Sequence, residues 1–396
     1  MNIGQFINRA LSRAKISIDD VSFKDMALEM LDEVIQYYWH YQNWKFKEKS
    51  LTLTTANTTE EYSLDKRVVN YSDVLKYSFQ GSDPVRYIKY EPVQEFARTH
   101  PFELPAGDPY RWRPGQTKGY SNNPSSASVI TLVSSLTNYT TGTANVVKGV
   151  NRVVFTTSVL TQDMLGLWIR FGTDQRAYRL ERRDFGSSTI FYLDSPYEGA
   201  SVAAQTFVIG DINQTVTVQG YVSGQLQEEE IKLNGSSSVA TTKSFTSLVR
   251  ISKSGQTGGY ITATSNTGAV TNAVLDAGET ETQILTIKLY PIPSKTETIN
   301  FVSGVYHPFL VKMSDSPLFP TQFHPLLLCD LQIKVISEWL EKEIPTELVE
   351  RRQRLLNNMI DIDNSTVGWT IQQETEEDSD RTYASNLPNN FPGVYE

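Results

Sequence analysis

The chain has one cysteine, Cys329, in 396 residues. That excludes a disulfide framework and any cysteine-built zinc site. Histidine is also scarce. Of the four, His100, His307 and His324 each precede a proline, which disfavours the helical conformation for each of them. No helical His-x-x-x-His pair can be built, and the histidines read as structural or exposed. No apolar run approaches the ~18 residues that span a bilayer. Met1-Asn2-Ile3-Gly4 opens into a polar helix rather than a charged-then-apolar leader. A soluble protein made in a cytoplasm, with no membrane partner, is expected. Basic surplus is missing too: the formal net charge is −9, so there is no general basic footprint for nucleic acid. Dinucleotide, P-loop, HExxH and nucleophile-elbow motifs are absent. Asp361-Ile362-Asp363-Asn364 begins like a calcium loop, but Thr366 stands where the sharp turn needs glycine and Gln372 where the bidentate glutamate belongs. The sequence therefore indicates no catalytic residue, no metal site and no cofactor, and a non-enzymatic protein is expected.

What is present is one long amphipathic helix with no nearby partner. Residues 22–44 carry Phe23, Ala27, Met30, Val34, Tyr38 and Tyr41 at helical spacing. Ser22 reads as the N-cap, with Asp25 three residues on. The helix ends in aromatics: Tyr37, Tyr38, Trp39, Tyr41 and Trp44. The matching apolar stripe lies some 300 residues later, in Leu327, Leu328, Leu331, Val335, Ile336, Trp339 and Leu340. Such a pair places the two ends of the chain in one helical body.

Between them the texture changes. Pro105, Gly107, Pro109, Pro114 and Gly115 break the chain, and residues 121–128 have a linker composition rich in Ser, Asn and Pro. Short alternating strands follow for about 160 residues, punctuated by Gly, Asn, Asp and Ser. The expected fold class is α+β and multidomain. Residues 1–121 and 284–363 form a discontinuous helical body with small β elements. Residues 122–210 and 211–283 form two inserted, sandwich-like β modules, and residues 364–396 form an extended C-terminal arm.

Three features bear on partners. The aromatic run has two readings: packing at the helix end, or a subunit interface using Tyr37, Trp39, Tyr41 and Trp44, since Tyr and Trp are enriched at interfaces. Arg111-Trp112-Arg113 has the residue types of a nucleic-acid patch at a length that suits a local salt bridge. Residues 364–396 are polar and acidic, with too few large apolar side chains for a core. They end in Phe391, Pro392 and Tyr395, rigid groups of the kind that anchor in a partner's pocket.

The order of features at the two ends resembles the head-to-tail adaptor (connector) proteins of tailed bacteriophages. The resemblance rests on the helix ending in Tyr37-Tyr38-Trp39 and Trp44, then Glu61-Tyr62-Ser63-Leu64 and Gly107-Asp108-Pro109-Tyr110. Later come Ile287-Lys288-Leu289-Tyr290-Pro291-Ile292-Pro293, Leu318-Phe319-Pro320, and His324-Pro325 before the leucine helix. It covers about 1–115 and 284–363; the long β insertion departs from the family pattern. It implies a structural virion protein at the portal vertex or neck, assembled in the host cytoplasm. It also implies a homo-oligomeric ring, a dodecamer in the family. That ring would bind the portal protein and tail tube, nozzle or fibre proteins, with DNA only passing through its channel. Phe391, Pro392 and Tyr395 would dock on the portal. Two other classes stay open: a soluble enzyme with β accessory domains, and a receptor- or glycan-binding tail or fibre component using the β modules. Clustering of Trp168, Tyr178, Phe191, Tyr192 and Tyr197 on one β face would favour glycan binding.

Overall fold

A computed structural model of the chain describes residues 1–12, 21–42, 44–66, 68, 74–78, 86–99, 105–156, 160–184, 187–310 and 312–377. It corrects the expected fold class. The chain is mostly β, with 37% strand against 25% helix, and includes a nearly closed seven-stranded barrel-like sheet. An α+β helical body with small β elements does not describe it. The physical reason lies in pairing. The long helix shows its stripe within one contiguous segment, whereas the strands of the terminal region are short pieces whose partners lie far away in sequence.

The N-terminal part supplies β1 (Glu48–Thr54), β2 (Glu61–Ser63), β3 (Val74–Ser78), β4 (Arg86–Tyr90), β5 (Ala106–Gly107) and β6 (Arg111–Pro114). The insert begins with β7 (Thr131–Ser134). It continues through β8 (Thr143–Val146), β9 (Arg152–Thr156), β10 (Trp168–Phe171), β11 (Ala177–Arg183), β12 (Ile190–Leu193), β13 (Val202–Gln205) and β14 (Phe207–Gly210). Then follow β15 (Ile212–Val222), β16 (Gln225–Asn234), β17 (Val239–Ala240), β18 (Ser247–Lys253), β19 (Ile261–Ser265) and β20 (Val270–Leu275). The chain returns with β21 (Thr286–Tyr290), β22 (Ile292–Pro293) and β23 (Thr298–Gly304). The helices are α1 (Ile3–Leu11), α2 (Val21–Tyr41), α3 (Val93–Thr99), α4 (His324–Lys334) and α5 (Thr346–Glu377).

Both chain ends build one seven-stranded sheet, ordered β1-β23-β3-β4-β6-β21-β2. Only the β4–β6 pairing in it is parallel. Its core joins Tyr62, Ile88 and Trp112 to Ile287, Leu289 and Ile299. Beside it, α1, α2, α4 and the first part of α5 share a second core. There Phe6, Leu31, Tyr38 and Trp44 meet Phe323, Leu327, Leu331 and Met359. Asn2 caps α1 in a reciprocal box with Gln5. α2 begins at Val21, one residue before the expected cap.

The insert is nested. β8 to β14 form the barrel-like sheet, ordered β13-β8-β9-β12-β11-β10-β14. Its end strands β13 and β14 are separated in the chain only by Thr206, and Tyr139 bridges to Ile209, so the sheet curls nearly shut. Alternate residues fill it: Val153 and Phe155, Ile169 and Phe171, Tyr178 and Leu180, Phe191 and Leu193, Phe207 and Ile209. The barrel is itself an insertion in a sandwich of β16-β15-β18 against β17-β7-β19-β20. Strand β7 lies before Asp211 in the chain, yet it pairs with β19 and β17 beyond it. Gly220 lets β18 pass close: a Cβ there would sit 2.4 Å from the Ser247 carbonyl oxygen.

Polar joints fix these units. Asp211, buried between barrel and sandwich, accepts from Ser134 Oγ at 2.6 Å and from the Gly258 and Gly259 amides at 2.6 and 3.0 Å. Lys24 Nζ on α2 donates to the Leu165 carbonyl of the barrel at 2.8 Å, and the Met313 amide donates to Asp163 at 2.7 Å. On the sandwich side, Lys66 pairs with Asp276 at 2.7 Å and the Tyr306 hydroxyl donates to Glu279 at 2.6 Å. Lys253 closes the same joint by donating to Thr257 Oγ1 and the Asp276 and Ala277 carbonyls. Burial pulls its pKa down to about 8, against the opposing pull of Asp211, Glu279 and Asp276.

Candidate subunit interface

The aromatic end of α2 divides into a buried half and an exposed half. Trp44 and Trp39 are 0% and 2% exposed. The Trp39 indole donates to the Val305 carbonyl at 2.8 Å and the Trp44 indole to the Tyr38 carbonyl. These two candidate interface residues are core. Tyr37 and Tyr41 are 51% and 45% exposed, with ring centroids 5.9 Å apart. A helix turns about 100° per residue, so Tyr37 and Tyr41 each point about 200° away from Trp39, to the other flank.

That flank carries a second exposed apolar pair, with a charged cluster between the two pairs. Phe23 and Met26 lie exposed on the same side of α2, and Phe23 packs against Trp339 at 5.6 Å. Lys334 bridges Glu33 and Glu338 between them. Arg352 anchors the tyrosine end. Its Nε donates to the Tyr38 hydroxyl at 3.0 Å and pairs with Asp330 at 3.1 Å, and its guanidinium lies 6.0 Å from the Tyr37 ring. Burial, reinforced by the Asp330 charge, raises the Tyr38 pKa, which keeps that hydroxyl neutral.

The opposite flank carries a second apolar patch. Trp39 packs edge-on against His307 and Phe319, at 5.2 and 5.3 Å. Beside them Phe309 and Leu318 are 55% and 48% exposed. His307 Nδ1 donates to the Pro308 carbonyl, so Nε2 accepts the Leu318 amide proton at 3.0 Å. Burial holds the His307 pKa down at about 4, so the ring is neutral and keeps that acceptor at neutral pH.

No protein-family model and no curated protein matches the chain. Its function is therefore argued from geometry and from the order of its motifs.

The remaining candidates fall as follows. Phe391, Pro392 and Tyr395 lie outside the described residues. Of the five aromatics considered for a glycan face, Tyr178, Phe191 and Tyr197 are in the barrel core, while Trp168 and Tyr192 are half-buried and point outward. Arg111 and Arg113 flank the buried Trp112 on β6 and pair with Glu91 and Glu60 at 3.5 and 3.9 Å. The Asp361–Asn364 stretch lies inside α5 rather than in a loop. Cys329 is buried, its thiol pushed up by burial. Among the described residues, no three His, Cys, Asp or Glu side chains are grouped to hold a metal ion, and no helix is long and apolar enough to cross a membrane. The Phe309–Leu318 patch was missed from sequence, because an exposed apolar pair in a loop has no periodicity. The proline after His307 and the one after Phe319 were the available signals of an ordered loop.

Proposed function

We propose that the chain is a subunit of a closed ring that acts as a head-to-tail adaptor of a tailed phage, between the portal and the tail. The observation that carries this reading is the pair of apolar patches on opposite flanks of α2. A patch that contacts its own copy makes a two-fold dimer; two different patches that fit each other make a head-to-tail contact, which closes into a ring when the rotation allows. Phe23, Met26, Tyr37 and Tyr41 supply one face, and Phe309 and Leu318 the other.

Two further points support it. The motif order of the chain ends resembles that of the adaptor family, whose rings lie under the portal. The net charge of −9 suits a channel past which DNA slides, because phosphate contacts come from Lys and Arg. The arm of residues 364–396 starts as a continuation of α5, which runs 14 residues past Asp363 to Glu377. At 1.5 Å per residue that carries the chain roughly 21 Å further on. In this reading Phe391, Pro392 and Tyr395 dock on the portal.

The test is mass photometry of the purified chain, alone and with portal rings. A ring gives a single high multiple of the subunit mass. Tyr37→Ser with Tyr41→Ser, and separately Phe309→Ser with Leu318→Ser, should each reduce it to monomer with the circular dichroism unchanged. Monomers at all concentrations, with and without portal, would overturn the proposal.

A further inference from the structure

The outer face of the barrel carries a row that the ring reading does not use. In the β9–β12–β11 register, Arg152 stands opposite Tyr192, and Tyr192 opposite Arg182. All three point outward: Arg152 and Arg182 are exposed and Tyr192 is half-buried, while their neighbours Val153, Phe191 and Leu193 fill the core. The row depends on an irregularity. The register of β11 against β12 shifts between Leu180 and Arg182, so that Glu181 and Arg182 are both exposed where strict alternation would send one inward. Such bulges re-aim side chains.

Arg182 lies over its neighbour in this row. Its guanidinium carbon is 4.2 Å from the centre of the Tyr192 ring, the closest cation–aromatic approach among the described residues. Stacking of this kind holds the planar fork in place and leaves its edge free for hydrogen bonds. Neither Arg182 nor Arg152 has a carboxylate within ion-pair distance among the described residues. Other outward arginines of the barrel do have partners: Arg179 reaches Asp25 at 3.6 Å and the Gly166 carbonyl, and Arg176 pairs with Glu198. Adjacent strands are about 4.8 Å apart, so Arg152 and Arg182 stand about 10 Å apart across one aromatic ring.

We propose that Arg152, Tyr192 and Arg182 form a binding site for an acidic glycan, with each arginine taking a sugar carboxylate and the tyrosine edge lying along the sugar between them. Guanidinium and carboxylate match as two parallel charge-assisted hydrogen bonds. A glycan fits better than nucleic acid for two reasons. The row is short, where a nucleic acid needs a basic stripe. A single strand also stacks its bases on open aromatic faces, and the Tyr192 face is already taken by the Arg182 guanidinium. The site is independent of the ring reading, because none of its residues belongs to the α2 flanks.

The experiment titrates the full chain with polygalacturonate, with neutral dextran and with single-stranded oligothymidylate, by calorimetry at low and moderate salt. Polygalacturonate should bind, more weakly as salt rises, and dextran should not. Arg182→Gln and Arg152→Gln should each weaken binding roughly tenfold, the scale of one lost charge-assisted pair. Arg182→Lys should not restore it, since a lysine neither stacks flat nor forks. Tyr192→Leu removes the platform and should weaken binding as well, and an unchanged circular dichroism spectrum and melting midpoint in each variant separates loss of binding from loss of fold. No binding of polygalacturonate, or equal binding by Arg182→Gln, would overturn the proposal. So would binding of oligothymidylate alone.

Discussion

His307 shows how a single side chain can be tied to a candidate interface. It is almost fully buried, it accepts the Leu318 amide proton at Nε2, and burial holds its pKa at about 4, well below the ordinary imidazole range. The sign follows from linkage. A histidine held neutral in the fold contributes stability that is complete above about pH 6.5, and it is lost as pH falls toward 4, because the unfolded chain takes up the proton first. The depression is worth about 3 kcal/mol at its fullest, at 1.36 kcal/mol per unit. Thermal melts between pH 7.5 and 4.5 should therefore fall more steeply for the parent than for His307→Gln, which keeps an amide to face Leu318 but has no proton to gain. Parallel curves for the two proteins would show that His307 is not the group responsible. Protonation would also convert Nε2 from acceptor to donor facing an amide, so the Phe309–Leu318 patch should lose its shape over the same range.

At the scale of elements, the strand β1 reveals both what sequence can say and where it stops. Its alternation, Leu51 and Leu53 between Ser50, Thr52 and Thr54, reads as a half-buried strand from composition alone. What cannot be read is that it pairs with β23, about 250 residues away. The long stripes of α2 and α4 were legible because a helix satisfies its own backbone and leaves only a face to match. A strand leaves its whole backbone to be satisfied elsewhere. The same limit hid the place of β7 in the sandwich and the near-closure of the barrel, where short strands of equal appearance go to different sheets. In the β1–β23 pair, Lys47 accepts from the Val305 amide and the Thr55 amide donates to Glu297. The odd-numbered positions thus face β23, and the amides of Ser50 and Thr52 point away from it. Proline is tolerated on an edge strand only where its missing donor faces outward. Thr52→Pro should cost about 1 kcal/mol or less, while Leu51→Pro breaks a ladder bond and a core contact and should cost about 3 kcal/mol or more. Urea melts of the two variants decide it, and equal losses would mean that the register is wrong.

Across the whole molecule, the arrangement is an insertion inside an insertion, and its cores are separate. The helical core draws on residues 3–46 and 305–359, and the core of the seven-stranded sheet on residues 62–112 and 287–299. The barrel and sandwich cores use only residues between 130 and 275. The two parts join at a neck where Lys118 and Ile284 exchange both backbone hydrogen bonds, each 2.9 Å long. A pair bonded in this way can be closed by a two-residue turn, and Asn-Gly is the pair of residues best suited to it. Replacing residues 119–283 by Asn-Gly should therefore leave a soluble body with a cooperative melt. The cost is the polar joints across the interface. Lys66, Tyr306 and Lys24 lose partners but gain water, so each loss belongs to the small range measured for solvated pairs, about 0–1 kcal/mol. The shortened chain also divides the functional readings, because Tyr37, Tyr41, Phe309 and Leu318 all remain while Arg152, Tyr192 and Arg182 are gone. By mass photometry it should keep the parent's multiple of its own, smaller subunit mass, and it should lose binding to polygalacturonate. A folded but monomeric short chain would move the subunit contact into the insert. Aggregation of the short chain would show that the body depends on the insert for its stability, against the separation of the cores.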